Sequence, residues 1–385
     1  MGTPPANPRK KVTIGTLRSL HKRGEPITMI TAHDFPSAHV ADAAGMDMVL
    51  VGDSLAMVAL GMEDTSEIVL EEMLLHCRSV ARATKAAFTV GDLSMGSYEI
   101  APQQALETAI RFIKEGRMQG IKLEGGKEMA PTIAKITTAG IPVLGHVGLT
   151  PQRQNALGGF RVQGKTALGA VKVLEDALAV QEAGCFAVVL EAVPAEVAVI
   201  VTRKLSIPTI GIGAGNGCSG QVLVQVDMTG NFPPGRFLPK FVKKYGDVWA
   251  ESLKAIEAYR DDVKSRQYPA PEHTYPIPKD ELVVFAEHAN KLIGILWAQP
   301  NRTHHPEVLF TYKNTLSLTA APKLHPLLTV TTSTGRGRAA PTGLKRTLTF
   351  SCGNPPAAAR AAVASCGKAI KTVDADIVKG RCFSG

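Results

Sequence analysis

A chain of 385 residues, 45% hydrophobic and 20% charged, has the composition of a globular protein and room for one large domain or two ordinary ones. No apolar run approaches the ~20 residues that cross a bilayer, which excludes a membrane-spanning helix. The net charge of +9 belongs to the C-terminal quarter: residues 291–385 carry 13 Lys and Arg against three acids, and the rest carries 30 against 31, so it marks no acidic partner for the main body.

The first 26 residues are basic, with Arg9, Lys10, Lys11, Arg18, Lys22 and Arg23 against Glu25. They lack an apolar h-region, so a secretory signal is not expected. A mitochondrial presequence fits in part; a solvated tail leading into a first helix is preferred.

From 27 to 227 one unit repeats: a short apolar strand, a polar or Gly-containing turn, then a helical stretch. The strands are expected at 27–31, 47–52, 87–91, 120–124, 141–146, 185–191, 207–212 and 221–226. Asp47–Val51 and Cys185–Leu190 are nearly continuous apolar runs, as parallel strands buried on both faces require. Eight strands separated by helix-length segments predict an α/β fold, a closed (β/α)8 TIM barrel. An open doubly wound sheet is the alternative.

Among the helices, Glu67–Thr84 carries Ile68, Leu70, Met73, Leu74 and Cys77 at helical spacing. Thr166–Ala183 carries Leu168, Val171, Leu174, Leu178 and Val180, closed by Gly184. Further helices are expected at Phe241–Arg266 and Lys279–Lys291, with the Pro-rich Tyr268–Pro278 extended between them. None of the six cysteines forms a CxxC pair or a zinc-type spacing, and reduced thiols are expected.

From about Leu292, Thr, Ser, Pro, Ala and basic residues dominate and periodicity disappears. Such a segment is not expected to bury a core. A disordered basic tail, a lineage-specific extension and translated non-coding sequence all fit it. A nucleic-acid-binding tail is the sharper alternative, but interleaved aromatics and a known module are missing. The expected division is 1–26, a barrel with its C-terminal helices over 27–291, and a tail over 292–385.

Five strand ends carry ionisable groups: Asp53, Asp92, Lys122 with Glu124, His146 and Glu191. In a barrel such positions converge at one mouth. Asp53, Asp92 and Glu124 would repel one another there, and a hard divalent cation with oxygen ligands, Mg²⁺ above all, removes that cost. Each acid could instead be a cap or an ion-pair partner: Asp53 for its turn, Glu124 for Lys122. Such a metal binds a 2-oxo acid through carboxylate and keto oxygens and stabilises an enolate. Lys122 would hold the substrate carboxylate or the developing oxyanion. Glu191, on an apolar strand where burial raises a carboxylate's pKa, is the candidate base. His146, between Gly145 and Gly148, either orients a ligand or satisfies a buried hydrogen bond. Gly211-Ile-Gly-Ala-Gly215 has the composition of a phosphate loop; close packing at the rim is the preferred reading.

The motifs Gly-Asp-Ser at 52–54, Lys-Leu-Glu-Gly-Gly at 122–126, Gly-His-Val-Gly-Leu-Thr-Pro-Gln at 145–152 and Gly-Gly-Phe-Arg-Val-Gln-Gly at 158–164 stand in order. With Gly-Gln-Val-Leu-Val at 220–224 and Pro-Lys-Phe-Val at 239–242, the chain resembles the ketopantoate hydroxymethyltransferase family over roughly Lys11–Lys291. The resemblance implies a barrel of the phosphoenolpyruvate/pyruvate-binding type, assembled into a homo-oligomer as large as a decamer. It implies hydroxymethyl transfer from 5,10-methylenetetrahydrofolate to 3-methyl-2-oxobutanoate, giving 2-dehydropantoate for coenzyme A synthesis. It places metal ligands on Asp53, Asp92 and Glu124, substrate contacts on Asp53, Ser54, Asp92 and Lys122, and the proton acceptor on Glu191. No nucleic acid or membrane partner is implied, and the expected location is the mitochondrial matrix or cytoplasm. The chain departs from the family pattern at His33, Ser219 and Val226, none of them a metal or base position. The alternatives are a related metal–enolate lyase or mutase that needs no folate, and a non-catalytic protein binding nucleic acid through its tail.

Overall fold

The structure, a computed structural model, describes residues 9–297, with side chains to 292. Eight parallel strands close into a barrel in sequence order. They are β1 (Ile27–Thr31), β2 (Met48–Val51), β3 (Phe88–Asp92), β4 (Gly120–Glu124), β5 (Val143–Gly148), β6 (Ala187–Glu191), β7 (Thr209–Ile212) and β8 (Gly220–Leu223). β8 returns to β1, with Ile27 opposite Gly220 and Met29 opposite Val222. The barrel and all eight expected strands are present; the open-sheet alternative is not.

The helices are α1 (Ile14–Arg23), α2 (Phe35–Ala43), α3 (Leu55–Val58), α4 (Leu70–Ala83), α5 (Pro102–Lys114), α6 (Ala130–Thr138), α7 (Gln154–Leu157), α8 (Ala167–Glu182), α9 (Ala195–Lys204), α10 (Gln225–Thr229), α11 (Val248–Ser265) and α12 (Lys279–Trp297). α4 buries Met73, Leu74, Cys77 and Val80, and α8 buries Val173, Ala177 and Val180. α4 follows the spacing legible in the sequence, but of the residues expected to face the core from α8 only Val180 is buried: Leu174 and Leu178 are half-buried and Leu168 and Val171 are exposed. Gly184 follows α8 in the left-handed region. Cys77, Cys185 and Cys218 are free thiols. No helix among the described residues is long and apolar enough to cross a membrane.

The core has two layers. One lies between strands and helices, around Val49, Ile121, Phe112 and Ile133. The other fills the barrel itself with Met29, Met48, Phe88, Leu144, Phe186, Ile210 and Val222. Phe88 and Phe186 meet edge to face at 5.6 Å, a favoured aromatic geometry. Val12 and Leu17 belong to this inner layer, so the segment ahead of β1 closes the N-terminal end of the barrel. A Thr13 capping box starts α1, and Gly24 ends it with φ 68°. Each such fully buried aliphatic side chain contributes about 1.5–3 kcal/mol. The filled floor leaves only the C-terminal mouth open to solvent.

Three expectations are corrected. No helix separates β7 from β8, and the Gly-rich stretch 213–219 makes the crossing instead. β8 stops at Leu223 rather than 226: the Gln225 N–H donates to Thr31 Oγ1 at 3.0 Å and the chain turns into α10. The helix expected from Phe241 begins only at Val248, where Asp247 accepts from the Ala250 N–H. Pro233, Pro234 and Pro239 keep the preceding residues irregular.

The chain divides into two compact units, Met1–Thr274 and Tyr275–Gly385. The described part of the second unit consists of Tyr275–Pro278 and α12, longer than the helix expected at 279–291. The expected tail at 292–385 lies almost wholly outside the described residues.

Gly148 ends β5 with φ 95°, and a Cβ there would stand 2.4 Å from the Glu191 carbonyl oxygen. That carbonyl accepts from the Leu149 N–H at 2.9 Å, so the β5 and β6 ends are fastened together at this point. Gly148→Ala should therefore destabilise the protein by roughly 1–3 kcal/mol in equilibrium urea unfolding. An unchanged midpoint would show that the strand ends give way freely.

Candidate active site

The barrel brings all the predicted strand-end groups to its C-terminal mouth. Asp53, Ser54, Asp92, Lys122, Glu124, His146 and Glu191 line one cavity of about 740 Å³. Alternation along β4 explains part of this: Lys122 and Glu124, two apart, share the inward face. Register explains more. Asp92 lies opposite Lys122, Glu124 opposite His146, and Gly148 opposite Glu191.

Lys122 Nζ donates to both oxygens of Asp92, each at 2.7 Å. The expected alternative, in which Glu124 serves Lys122, is not the hydrogen bond that forms. The Asp53 N–H donates to Asp92 Oδ2 at 3.3 Å, joining the β2 and β3 ends. His146 is buried, with Nδ1 3.5 Å from Glu124 Oε1 and Nε2 3.3 Å from Glu191 Oε2. Neither nitrogen has an aligned hydrogen bond. It sits between two carboxylates. Ser54 opens α3 half-buried, without capping it.

Gln152 was not singled out from the sequence, although it closes the motif at 145–152. Its Nε2 donates to Asp53 Oδ2 at 2.8 Å and to the Leu93 carbonyl at 2.9 Å. Its backbone N–H donates to Glu124 Oε2 at 3.1 Å, and the Tyr98 hydroxyl donates to its Oε1 at 2.6 Å. One buried amide thus orients two carboxylates. Only its place in the motif hinted at this, because an isolated Gln after Pro reads as a loop residue.

The Gly-rich loop after β7 is a packing feature. A Cβ on Gly213, where φ is 64°, would stand 2.6 Å from the Phe241 ring. One on Gly215 would stand 2.5 Å from the Ala195 Cβ.

The charges do not balance. Four carboxylates face one ammonium and one imidazole. Burial raises the Asp92 carboxyl to about 6 against the pull of Lys122, and burial likewise raises Asp53, which Lys122 opposes and Glu124 reinforces. Burial works against the Lys122 ammonium, yet Asp92, Asp53 and Glu124 hold its pKa above the ordinary value. His146 is raised to about 9: burial and Lys122 oppose its charge, but Glu124 and Glu191 prevail. Among the described residues no three acidic, His or Cys side chains form a ready-made metal cage. The surplus of buried carboxylate oxygens nevertheless fits a hard divalent cation that keeps several waters and needs only one or two protein carboxylates.

A carboxylate whose folded pKa is raised weakens the fold above its unfolded pKa, and the cost disappears as pH falls. Asp53→Asn should therefore stabilise the metal-free protein at pH 7 by roughly 1 kcal/mol in thermal unfolding. Mg²⁺ should raise the melting temperature of the wild type and raise that of Asp53→Asn less. A variant that melts lower without metal and responds equally to Mg²⁺ would contradict this charge balance.

With this geometry in place, comparison with known sequences points to one family. The sequence model of the family described as ketopantoate hydroxymethyltransferase matches residues 11–271. A 3-methyl-2-oxobutanoate hydroxymethyltransferase of Emericella nidulans is 74% identical over 292 residues, covering 76% of this chain and 84% of the relative. The enzyme of the same name from Oleidesulfovibrio alaskensis is 51% identical over 71% of this chain and 93% of its own length. An Arabidopsis thaliana relative, named 3-methyl-2-oxobutanoate hydroxymethyltransferase 1, mitochondrial, is 51% identical over 76% of this chain and 85% of its own. These matches include the barrel and every strand-end group at its mouth, and the chain belongs to the ketopantoate hydroxymethyltransferase family.

Proposed function

We propose that this protein transfers a hydroxymethyl group from 5,10-methylenetetrahydrofolate to 3-methyl-2-oxobutanoate. Methylenetetrahydrofolate, water and the 2-oxo acid give tetrahydrofolate and 2-dehydropantoate. The observation that carries this reading is the arc of ionisable groups from β2 to β6, in a chain of this family. Family membership also favours it over a folate-free lyase or mutase.

Asp53, Asp92 and Glu124 hold a divalent cation, Mg²⁺ on grounds of oxygen-only donors, directly or through retained water. When bound, that cation supplies the positive charge that makes the 2-oxo acid's keto group an electron sink. Lys122 and Ser54 bind the polar end of the substrate beside it, and Asp92 fixes the ammonium in place. Gln152 keeps Asp53 and Glu124 turned toward the cation. Leu50 and Val189 line the cavity beside the ionisable arc and receive the two methyl groups on C3.

Glu191 takes the proton from C3, which leaves C3 nucleophilic toward the folate's one-carbon unit. Its carboxylate is only partly buried at the β6 end, within 3.3 Å of His146. His146, held protonated at neutral pH, stands 3.3 Å from the Glu191 carboxylate and orients it. His146 is thus a positioning residue for the base.

Leu253, Ile256, Tyr259 and Val263 form an exposed apolar stripe on α11, which suits a homo-oligomer, up to a decamer, in which a second copy covers it. The mitochondrial name of the Arabidopsis relative supports the mitochondrial matrix as the location of this chain.

The test is deuterium exchange at C3 of 3-methyl-2-oxobutanoate, followed by NMR in D₂O with Mg²⁺. Wild-type protein should exchange C3 and Glu191→Gln should do so slower by roughly 10²–10⁴-fold. Adding methylenetetrahydrofolate should then yield 2-dehydropantoate. Absence of exchange in the wild type with folate present would sink the reading.

A further inference from the structure

The cavity has two unlike halves. From β2 to β6 every strand end carries an ionisable group. From β7 through β8 to β1 the wall is Ile212, Val222, Val224 and Thr31, and the ionisable group beside them is Asp227, on α10. A cavity of about 740 Å³ is sized for a drug-like ligand, far beyond what a five-carbon 2-oxo acid fills. The second half therefore has room for a second molecule.

Asp227 is 7% exposed, and its Oδ1 has no hydrogen-bond partner. Arg236 Nη2 stands 3.4 Å from that oxygen, close enough to favour the charged form but not aligned as a hydrogen bond. A buried, unsatisfied carboxylate oxygen is costly and calls for an explanation. Burial pushes this carboxyl upward, and Arg236 opposes that. The irregular segment 231–247 brings Phe237 and Phe241 to the same cavity, together with Arg236 and Lys240. Flat rings, two cations and a carboxylate with one unsatisfied oxygen thus border one space.

A folate has matching chemistry. Its pterin is flat. One edge presents two donors side by side, the 2-amino group and N3–H, which suit the two oxygens of a carboxylate. Its glutamate tail is anionic. We propose that Asp227 recognises the pterin by accepting from the 2-amino group and N3–H. Phe237 and Phe241 border the ring, Arg236 stays beside Asp227 as its counter-charge, and Lys240 attracts the tail carboxylates. Asp227 is then a specificity residue for the one-carbon donor, remote from the proton transfer. This inference rests on the hydroxymethyl-transfer reading above.

Titration calorimetry on the full chain with Mg²⁺ and 3-methyl-2-oxobutanoate, under anaerobic conditions, tests it. The probes are tetrahydrofolate and its 2-desamino-2-methyl analogue. Wild-type protein should bind tetrahydrofolate at least roughly tenfold more tightly than the analogue. Asp227→Ala, with the isosteric Asp227→Asn in parallel, should bring that ratio below about threefold. General damage to the fold weakens both ligands alike and does not change the ratio. Equal binding of the two ligands by the wild type overturns the assignment without any variant, and so does full discrimination retained by a folded variant. C3 exchange by the wild type separates the two failures. Exchange with no role for Asp227 leaves the transferase reading standing, whereas no exchange and no tetrahydrofolate binding removes both.

Discussion

The Lys122 ammonium between the two oxygens of Asp92 is the contact on which the mouth of this barrel depends. Without a cation there, the β2, β3 and β4 ends would present three buried carboxylates and nothing to hold them. With it, two strand ends are joined by an ion pair, and Gln152 brings Asp53 and Glu124 into the same network. Removing one partner of a buried pair leaves the other uncompensated, which costs far more than a surface ion pair is worth. The geometry is therefore stiff, and it still carries a surplus of negative charge. That surplus opposes folding and suits a bound cation.

Stability comes from elsewhere in the molecule. The floor of the barrel is plugged by apolar side chains and closed by Val12 and Leu17, while the helices pack outside against a second apolar layer. The polar mouth can remain electrostatically unfavourable because the two layers beneath it are apolar and buried. His146 is the point where the layers meet: it sits on β5, buried, with carboxylates on two sides and Val147 packed into the outer core next to it. The same strand thus contributes to packing and to the site, through alternate residues.

The β7–β8–β1 side follows a different logic. The chain crosses from β7 to β8 through a Gly-rich loop in place of a helix, and Gly213 makes room for the Phe241 ring. That ring belongs to the segment that borders the cavity before α11 begins. The absence of a helix on one side of the barrel and the composition of the opposite half of its mouth are therefore connected. Residues 231–247 could not take their place if a helix filled the space over Gly213.

Much of this was legible without coordinates. Strands buried on both faces leave continuous apolar runs, and the polar residue ending each run must lie where the barrel opens, so Asp53, Asp92, Lys122, Glu124, His146 and Glu191 could be picked out by position. Their roles as ligands or base remain proposals that the geometry supports. Partner choice was not legible. Lys122 bonds Asp92 on the neighbouring strand instead of Glu124 on its own because Asp92 lies directly opposite it in register, whereas Glu124 lies two residues further along the strand and is engaged by Gln152. Gln152 and Asp227 gave no periodic signal, since each sits beyond a strand end in irregular or short helical chain. The missing helix between β7 and β8 was hidden because a count of strands does not say what crosses between them. The sequence by itself determined the repeating strands, the closed barrel and which residue types reach its mouth, because burial and alternation act locally along the chain. Only the tertiary structure decided which charges pair and which buried oxygen stays unsatisfied, because those depend on distances between residues far apart in the chain.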